Sequence, residues 1–260
     1  MGKVVASKAE GFVEGDAVAN FSGWQEYAVI NSKTARKVDA TLGLPLSAHI
    51  GVLGMTGMTA YFGFLDICNP KAGETVLVSA AAGAVGSLVG QIAKIKGCHV
   101  VGSTSSDEKC AFLKELGYDE TINYSTTGDL NAAITAAFPK GIDSYFDNVG
   151  GETLDIAVNL LNKYGRVSLC GAISHYDNLG GALPRGPNLT QCIGKEVKLQ
   201  GFIISSYHAR FPEGVRQMAE WLKEGKLKFR ETVYHGFEKV PEAFIALFEG
   251  SNLGKIVVKV

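Results

Sequence analysis

Apolar positions change their spacing near residue 50 of the chain. Before that point, short apolar runs between turn residues predict β-strands at 3–7, 17–20 and 27–30. From Leu46 onward, short apolar runs alternate with stretches of helical periodicity. The strands predicted there are 75–79, 99–104, 120–123, 142–147, 166–170 and 197–203. The predicted helices are 58–65, 85–96, 107–116, 130–138, 154–161 and 212–224.

This alternation predicts an α/β fold with a doubly wound parallel sheet. Strands joined by crossover helices run parallel, and the helices then cover both faces of the sheet. After residue 225 the pattern returns to strand, helix and strand, in a region too short to fold alone. We expect this region to pack against the N-terminal strands. The predicted parts are a β-rich segment at 1–53, a doubly wound domain at 54–223 and a C-terminal return at 224–260.

The composition is that of a folded protein with an excess of glycine. A hydrophobic fraction of 46% and a charged fraction of 20% argue against a disordered or fibrous chain. The 32 glycines among 260 residues indicate turns and close backbone approaches. Lysine and arginine total 25 against 26 acidic residues, without a basic block. We therefore expect no nucleic-acid partner.

Three features bear on where the protein is found. Five widely spaced cysteines, an odd number, favour reduced thiols over a disulfide framework. The first five residues, MGKVV, lack the apolar core of a signal peptide. The long uncharged runs at 40–65 and 75–93 are interrupted by glycine and by proline or polar residues, unlike a membrane span. We expect a cytoplasmic protein without a membrane span.

A glycine motif follows the first strand of the predicted sheet. The strand TVLVS at 75–79 leads into AAAGAVG at 80–86 and then into a helix. Aligned to Gly-x-Gly-x-x-Gly, the three positions are Ala81, Gly83 and Gly86, so alanine replaces the first glycine. The other two glycines let the backbone approach a pyrophosphate and let the helix pack on the strand. Small residues also serve tight packing, but this position between strand and helix favours a dinucleotide site.

The end of the next strand bears on which dinucleotide binds. NAD sites usually place an acidic residue about 20 residues after the glycines, and the segment VVGSTS at 100–105 has none. Lys109 lies just beyond, where an ammonium group could pair with a 2′-phosphate. Alternatively, 105–108 form a capping box and Lys109 is a solvated helix residue. The two interpretations of this segment are compatible, and we expect NADP(H) rather than NAD(H).

Other catalytic signatures are missing from the sequence. It has no Tyr-x-x-x-Lys and no Gly-x-Ser-x-Gly, and GSNLGKI at 250–256 lacks the spacing of a P-loop. The histidines show no metal-ligand spacing with one another or with cysteine, so we expect no metal. Each is expected at the surface or in a turn: His49, His99, His175, His208 and His235.

Five separated motifs point to a known family. They are GMTGMTAY at 54–61, the glycine motif, FDNVGG at 146–151, CGAIS-x-Y at 170–176 and NLGK at 252–255. Together they resemble the zinc-independent medium-chain dehydrogenase/reductases, in the branch of prostaglandin reductases, leukotriene 12-hydroxydehydrogenases and 2-alkenal reductases. The resemblance implies a Rossmann sheet beside an incomplete β-rich GroES-like lobe formed by the two chain ends. The N-terminal part of that lobe precedes the equivalent of Gly2 in family members.

The resemblance also implies contacts with NADP(H). The pyrophosphate would meet the motif residues Ala82, Gly83, Ala84, Val85 and Gly86. The region of the adenosine 2′-phosphate would meet Lys109 and Tyr124. The nicotinamide half would be surrounded by Asn148, Cys170, Gly171, Ala172, Ile173, Ser174, Tyr176, Gly201, Phe202, Ile203 and Asn252. From the residues alone, Tyr124 could equally be a strand-end aromatic residue and Asn148 a turn residue.

The implied activity is NADPH-dependent reduction of the carbon–carbon double bond of α,β-unsaturated ketones and aldehydes, such as 2-alkenals and 15-oxo-prostaglandins. Hydride would add to the β carbon, and negative charge would develop on the carbonyl oxygen. Tyr176 follows a strand end, where parallel sheets bind ligands, and is the expected catalytic donor to that oxygen. Quinone reduction, secondary-alcohol oxidation and NADP binding without catalysis stay open as alternatives. The resemblance further implies a homodimer formed through the sheet edge of the cofactor domain.

Overall fold

Short antiparallel strands make up the N-terminal sheet of the computed structural model. It describes residues 1–39, 43–178 and 186–260, with the backbone alone at 177–178. The strands are β1 (Gly2–Lys3), β2 (Ala17–Ala19) and β3 (Arg36–Lys37), in the order β1-β2-β3. The predicted strand at 27–30 is wrong, because this segment has no regular structure. Tyr27 and Val29 are both exposed, so this apolar run has no buried face to pack in a sheet.

Six parallel strands form the centre of the fold. They are β4 (Thr75–Val78), β5 (His99–Thr104), β6 (Glu120–Asn123), β7 (Ile142–Asp147), β8 (Leu161–Leu169) and β9 (Lys198–Gly201). Their order in the sheet is β6-β5-β4-β7-β8-β9, and each pairing is parallel. The chain therefore winds outward in both directions from β4, which confirms the predicted doubly wound arrangement.

Helices cover both faces of this sheet. They are α1 (Met55–Cys68), α2 (Gly86–Ile95), α3 (Asp107–Glu115), α4 (Leu130–Ala137), α5 (Gly151–Leu160), α6 (Thr190–Lys195) and α7 (Phe211–Lys223). Alternate residues of β4 enter different apolar clusters. Val76 and Val78 join the residues of α1, α2 and α7, whereas Leu77 joins those of α4 and α5. Each face of the sheet therefore has its own core.

The C-terminal return is a separate small unit of β10 (Glu231–His235), α8 (Val240–Glu249) and β11 (Lys255–Lys259). Strands β10 and β11 pair with each other in parallel, and neither pairs with β1, β2 or β3. Side chains do connect the two chain ends, because the rings of Trp24 and Phe244 lie 5.4 Å apart. The backbone of the return instead meets the glycine motif, where Gly254 N–H donates to the carbonyl of Ala82 at 2.9 Å. The division at residues 53 and 223 stays a prediction.

Within the described ranges, no helix is long and apolar enough to cross a membrane.

Candidate functional site

The glycine motif forms a tight turn between β4 and α2. Ala80 has a φ of 45°, and its carbonyl accepts from Gly83 N–H at 3.0 Å. A β carbon on Gly86 would lie 2.6 Å from that carbonyl oxygen, so the start of α2 packs on the turn only because Gly86 has no side chain. Ala81 fits at the first motif position because the facing residue of β5 is Gly102. A β carbon on Gly102 would lie 2.8 Å from that of Ala81.

The turn presents backbone N–H groups that fit an anion. Among the described residues, the N–H groups of Ala82 and Val85 have no hydrogen-bond acceptor, whereas the parallel bridge between Gly83 and Gly254 engages the N–H of Ala84. They precede the ten-residue helix α2, whose dipole also favours negative charge at this end. A β carbon on Gly83 would approach only the carbonyl oxygen of Ala80, at 3.2 Å, so the chain leaves the space beside Gly83 open. The turn thus fits the pyrophosphate of a dinucleotide.

Lys109 lies in the first turn of α3, beside the end of β5. Its Nζ donates to Ser105 Oγ at 3.1 Å and to the backbone carbonyl of Gly250, which ends α8. Lys109 forms no ion pair with any described residue, and Asp107 nearby accepts instead from Asn123 Nδ2 at 2.7 Å. Burial lowers the pKa of Lys109 from its ordinary value. This half-buried ammonium with only neutral partners fits a phosphate group.

The cap of α3 differs from the predicted capping box at 105–108. Ser106 caps the helix, because its Oγ accepts from Lys109 N–H at 3.3 Å. Ser105 is left to bind the Lys109 side chain, so Lys109 is not a freely solvated lysine. Tyr124 follows β6, and its N–H donates to the carbonyl of Thr104 at the end of β5, at 3.0 Å. Its side chain is 48% exposed, on the same sheet edge as Lys109.

A cavity of about 860 Å³ lies at the carboxyl ends of β7, β8 and β9. Seven of the residues predicted around the nicotinamide line it: Cys170, Gly171, Ala172, Tyr176, Gly201, Phe202 and Ile203. Its other walls include Gly150, Leu154, His175 and Ser206. Burial raises the pKa of the Cys170 thiol to about 12, which makes it a poor nucleophile at neutral pH.

Tyr176 lies in a 3₁₀ helix, Ile173–Asn178, that follows β8. Its hydroxyl accepts from the N–H of Ala172 at 3.2 Å and donates to no described residue. A β carbon on Gly171 would lie 3.2 Å from the Tyr176 hydroxyl, so glycine keeps this approach open. The ring is 46% exposed. Because no described residue accepts the hydroxyl hydrogen of Tyr176, none of them competes with a ligand in the cavity for it.

The remaining residues predicted for the nicotinamide half lie outside the cavity lining: Asn148, Ile173, Ser174 and Asn252. Ser174 Oγ donates to the carbonyl of Val149 at 2.6 Å and so fastens the 3₁₀ helix to the turn after β7. Asn252 Nδ2 donates to the carbonyl of Gly254 at 2.8 Å. Because Gly254 bonds to Ala82, Asn252 lies beside the glycine turn.

Sequence analysis missed a buried polar network beside the cavity. Asp147 is 1% exposed, and its Oδ1 accepts from the Tyr145 hydroxyl at 2.6 Å and from Ser79 Oγ at 3.2 Å. The available signal was Asp147, an acidic residue at the carboxyl end of a strand in a buried parallel sheet, since such a strand has no solvated face for it.

The described residues contain no group of three or more His, Cys, Asp or Glu side chains that could hold a metal ion. The expected exposure of His49 is wrong, because this side chain is 3% exposed. Burial lowers its pKa, and the charge of Arg36 acts in the same direction.

The fold and the two sites define the class of protein, a dinucleotide-binding α/β protein. Comparison with known proteins narrows this class. The zinc-binding dehydrogenase family matches residues 84–223. Prostaglandin reductase 1 of Bos taurus is 49% identical over 99% of this chain and 79% of that protein. The NADP⁺-dependent 2-alkenal reductase of Nicotiana tabacum is 45% identical over 99% of this chain and 75% of that protein.

A solved structure agrees with these relatives. CurA of Vibrio vulnificus, in complex with NADPH, is 43% identical and superposes with a TM-score of 0.92 over 99% of this chain and 77% of that chain. The chain therefore belongs to the medium-chain dehydrogenase/reductase family, in the zinc-independent branch that contains the prostaglandin and 2-alkenal reductases.

Replacing Gly83 separates packing from ligand binding in the turn. In Gly83→Val the chain keeps room for the β carbon, so the protein should fold, whereas the side chain fills the open space where a pyrophosphate would lie. We expect NADPH affinity, measured by fluorescence titration, to fall at least about 100-fold, or ~2.7 kcal/mol. Gly86→Ala should instead lower the urea midpoint, since its β carbon meets the chain itself. Unchanged NADPH affinity in Gly83→Val would show that Gly83 is only a packing residue.

Proposed function

We propose that the protein is an NADPH-dependent reductase of the carbon–carbon double bond of α,β-unsaturated ketones and aldehydes. The observation that carries the proposal is the free Tyr176 hydroxyl in the cavity, at the same sheet edge as the glycine turn. The high identity to prostaglandin reductase 1 and to 2-alkenal reductase supports the same substrate class.

NADPH supplies the hydride when bound, and the protein supplies orientation and electrostatics. The unpaired N–H groups of Ala82 and Val85 would hold the pyrophosphate, with Gly83, Ala84 and Gly86 beside it. Lys109 and Tyr124 would bind at the adenosine 2′-phosphate. The cavity lined by Cys170, Gly171, Ala172 and Gly201 would take the nicotinamide half and the substrate, with Leu154 and Phe202 as apolar walls.

Tyr176 would act on the oxygen of the substrate. As the β carbon gains hydride, negative charge develops on the carbonyl oxygen, and a hydroxyl donor stabilises that charge more than the neutral ground state. One such donor contributes about 2.7–4 kcal/mol to lowering the barrier. The hydroxyl of Tyr176 meets this requirement because none of the residues that the structure describes accepts its hydrogen.

The proposal is tested by NADPH oxidation with an enone, with a quinone and with no acceptor. Turnover with the enone well above the other two supports it. Preference for the quinone would assign a quinone reductase of the same family. NADPH binding without oxidation by either acceptor would indicate a non-catalytic NADP-binding protein.

Lys109→Ala tests the preference for NADPH. A hydrogen bond to a charged group contributes about 1.5–3 kcal/mol, so NADPH affinity should fall roughly 10- to 150-fold while NADH affinity changes little. Lys114→Ala, on the same helix, makes the same change in charge away from Ser105 and serves as the control. Titration of each protein with both cofactors gives the ratio of NADPH affinity to NADH affinity. Equal weakening of NADPH and NADH by Lys109→Ala would contradict the assignment.

Tyr176→Phe tests the proposed donor by removing one oxygen. The single-turnover rate of enone reduction should fall roughly 100- to 1,000-fold, with NADPH affinity unchanged, because the lost interaction exists mainly in the transition state. His175→Gln removes the neighbouring cavity residue that could also donate a proton. If Tyr176→Phe reduces the enone at the normal rate, a cofactor ribose hydroxyl or solvent is the donor.

We also propose a cytoplasmic homodimer that pairs through β9. This strand is one edge of the sheet, and the apolar side chains of Leu189, Ile193 and Ile203 near it are exposed. Light scattering should give twice the chain mass of 27.6 kDa. Ile193→Asp should shift that mass toward the monomer, whereas Val29→Asp, at an exposed apolar site far from β9 in the sequence, should not. A monomeric wild-type protein would refute the dimer.

A further inference from the structure

The carboxylate of Asp147 joins several chain segments at the cavity. Its Oδ1 accepts from the backbone N–H groups of Val149 at 3.0 Å and Gly150 at 2.9 Å, in addition to the hydroxyls of Tyr145 and Ser79. A buried carboxylate is strongly unfavourable unless donors surround it. These four donors surround Oδ1 and thereby fix the turn after β7 against the end of β4.

The backbone of Asp147 extends the connection to the next strand. Its carbonyl accepts from Cys170 N–H at 2.8 Å and from Gly171 N–H at 3.1 Å, where the chain leaves β8. Asp147 therefore connects the ends of β4, β7 and β8. Gly150, Cys170 and Gly171 all line the cavity, so its shape on this side depends on the network.

Asn148 is oriented by the same network. Its backbone N–H donates to Ser79 Oγ at 2.9 Å, and its Nδ2 donates to the carbonyl of Ser79 at 2.7 Å. The amide nitrogen is thus committed to the protein, whereas Oδ1 has no donor among the described residues. Asn148 presents an acceptor to a ligand, which suits a hydroxyl or an amide N–H.

We infer that Asp147 is a positioning residue for the nicotinamide half of NADPH. It acts through Asn148 and through the turn at 148–150, without itself contacting the reacting atoms. The inference rests on the proposed function, because NADPH is the ligand whose nicotinamide half is positioned. Binding of the adenosine half is expected not to depend on Asp147.

Asp143 provides a matched control on the same strand. It lies four residues earlier in β7, at the opposite end of the sheet from the cavity. Its Oδ2 accepts from Thr75 N–H at 2.8 Å and Thr75 Oγ1 at 3.1 Å, and its Oδ1 accepts from Asn162 Nδ2 at 2.8 Å. Asp143 and Asp147 thus both link β7 to β4 and to a following segment, but only Asp147 lies at the cavity.

The experiment compares Asp147→Asn with Asp143→Asn by titration with two ligands. NADPH carries both halves of the cofactor, whereas adenosine 2′,5′-bisphosphate carries only the adenosine end. Asp147→Asn should lower the affinity for NADPH at least about tenfold, or 1.4 kcal/mol. It should leave the affinity for the bisphosphate within about twofold of the wild-type value. Asp143→Asn should lower the urea midpoint without changing either affinity.

A merely structural role predicts a different result. If Asp147→Asn weakens both ligands equally, or neither, the inference is wrong. Tyr145→Phe keeps the ring and removes one donor to Asp147, so it decides the question should Asp147→Asn fail to fold. Tyr145→Phe should weaken the binding of NADPH but not that of the bisphosphate. An unchanged ratio of the two affinities would overturn the inference. Wild-type protein that binds neither ligand would refute the proposed function, and the inference with it.

Discussion

The contact between the start of α2 and the end of β4 governs the candidate site. No β carbon fits at Gly86, and the buried hydroxyl of Tyr118 donates to the Gly86 carbonyl at 2.7 Å. Tyr118 itself lies over Gly90, where a β carbon would be 2.0 Å from its ring. This packing holds the helix close to the sheet and aims its N-terminus at the open turn. Burial raises the pKa of Tyr118, so its hydroxyl stays a donor.

The C-terminal return is tied to this turn rather than to the N-terminal sheet. Gln91 on α2 exchanges two hydrogen bonds with the backbone of Lys228, at 2.9 and 2.7 Å. Gly254 bonds to the turn, and the carbonyl of Gly250 holds the Lys109 ammonium. Residues distant in sequence from the glycine motif thus contribute to both the proposed pyrophosphate site and the proposed adenosine site. The proposed selection of NADPH therefore depends on how this return docks.

The sequence predicts the parts of the fold whose signal is local. The regular alternation of short strands with helices predicts all six strands of the main sheet, and the glycine motif marks the turn between β4 and α2. The strand predicted at 27–30 is wrong because this apolar run faces solvent. Helix α6 has only six residues, too few for a clear helical period. The carboxylate network of Asp147, the Gly250 carbonyl on Lys109 and the position of Asn252 arise from distant segments, so no spacing in the sequence indicates them.

The candidate site offers backbone N–H groups at the glycine turn and side chains at its two ends, Lys109 and Tyr176. Cofactor and substrate specificity can therefore change at the ends and not at the turn. The unpaired N–H groups at Ala82 and Val85 exist whatever side chains these residues carry, provided that Gly83 and Gly86 keep the turn tight. A phosphate on the adenosine is discriminated only by a charged side chain such as Lys109, and a carbonyl oxygen only by a donor such as Tyr176. Under the proposed roles, replacing such an end residue changes cofactor or substrate preference without disturbing the turn. Because Lys109 and Tyr176 lie in helices that follow strands at the same sheet edge, the rigid sheet holds them in register.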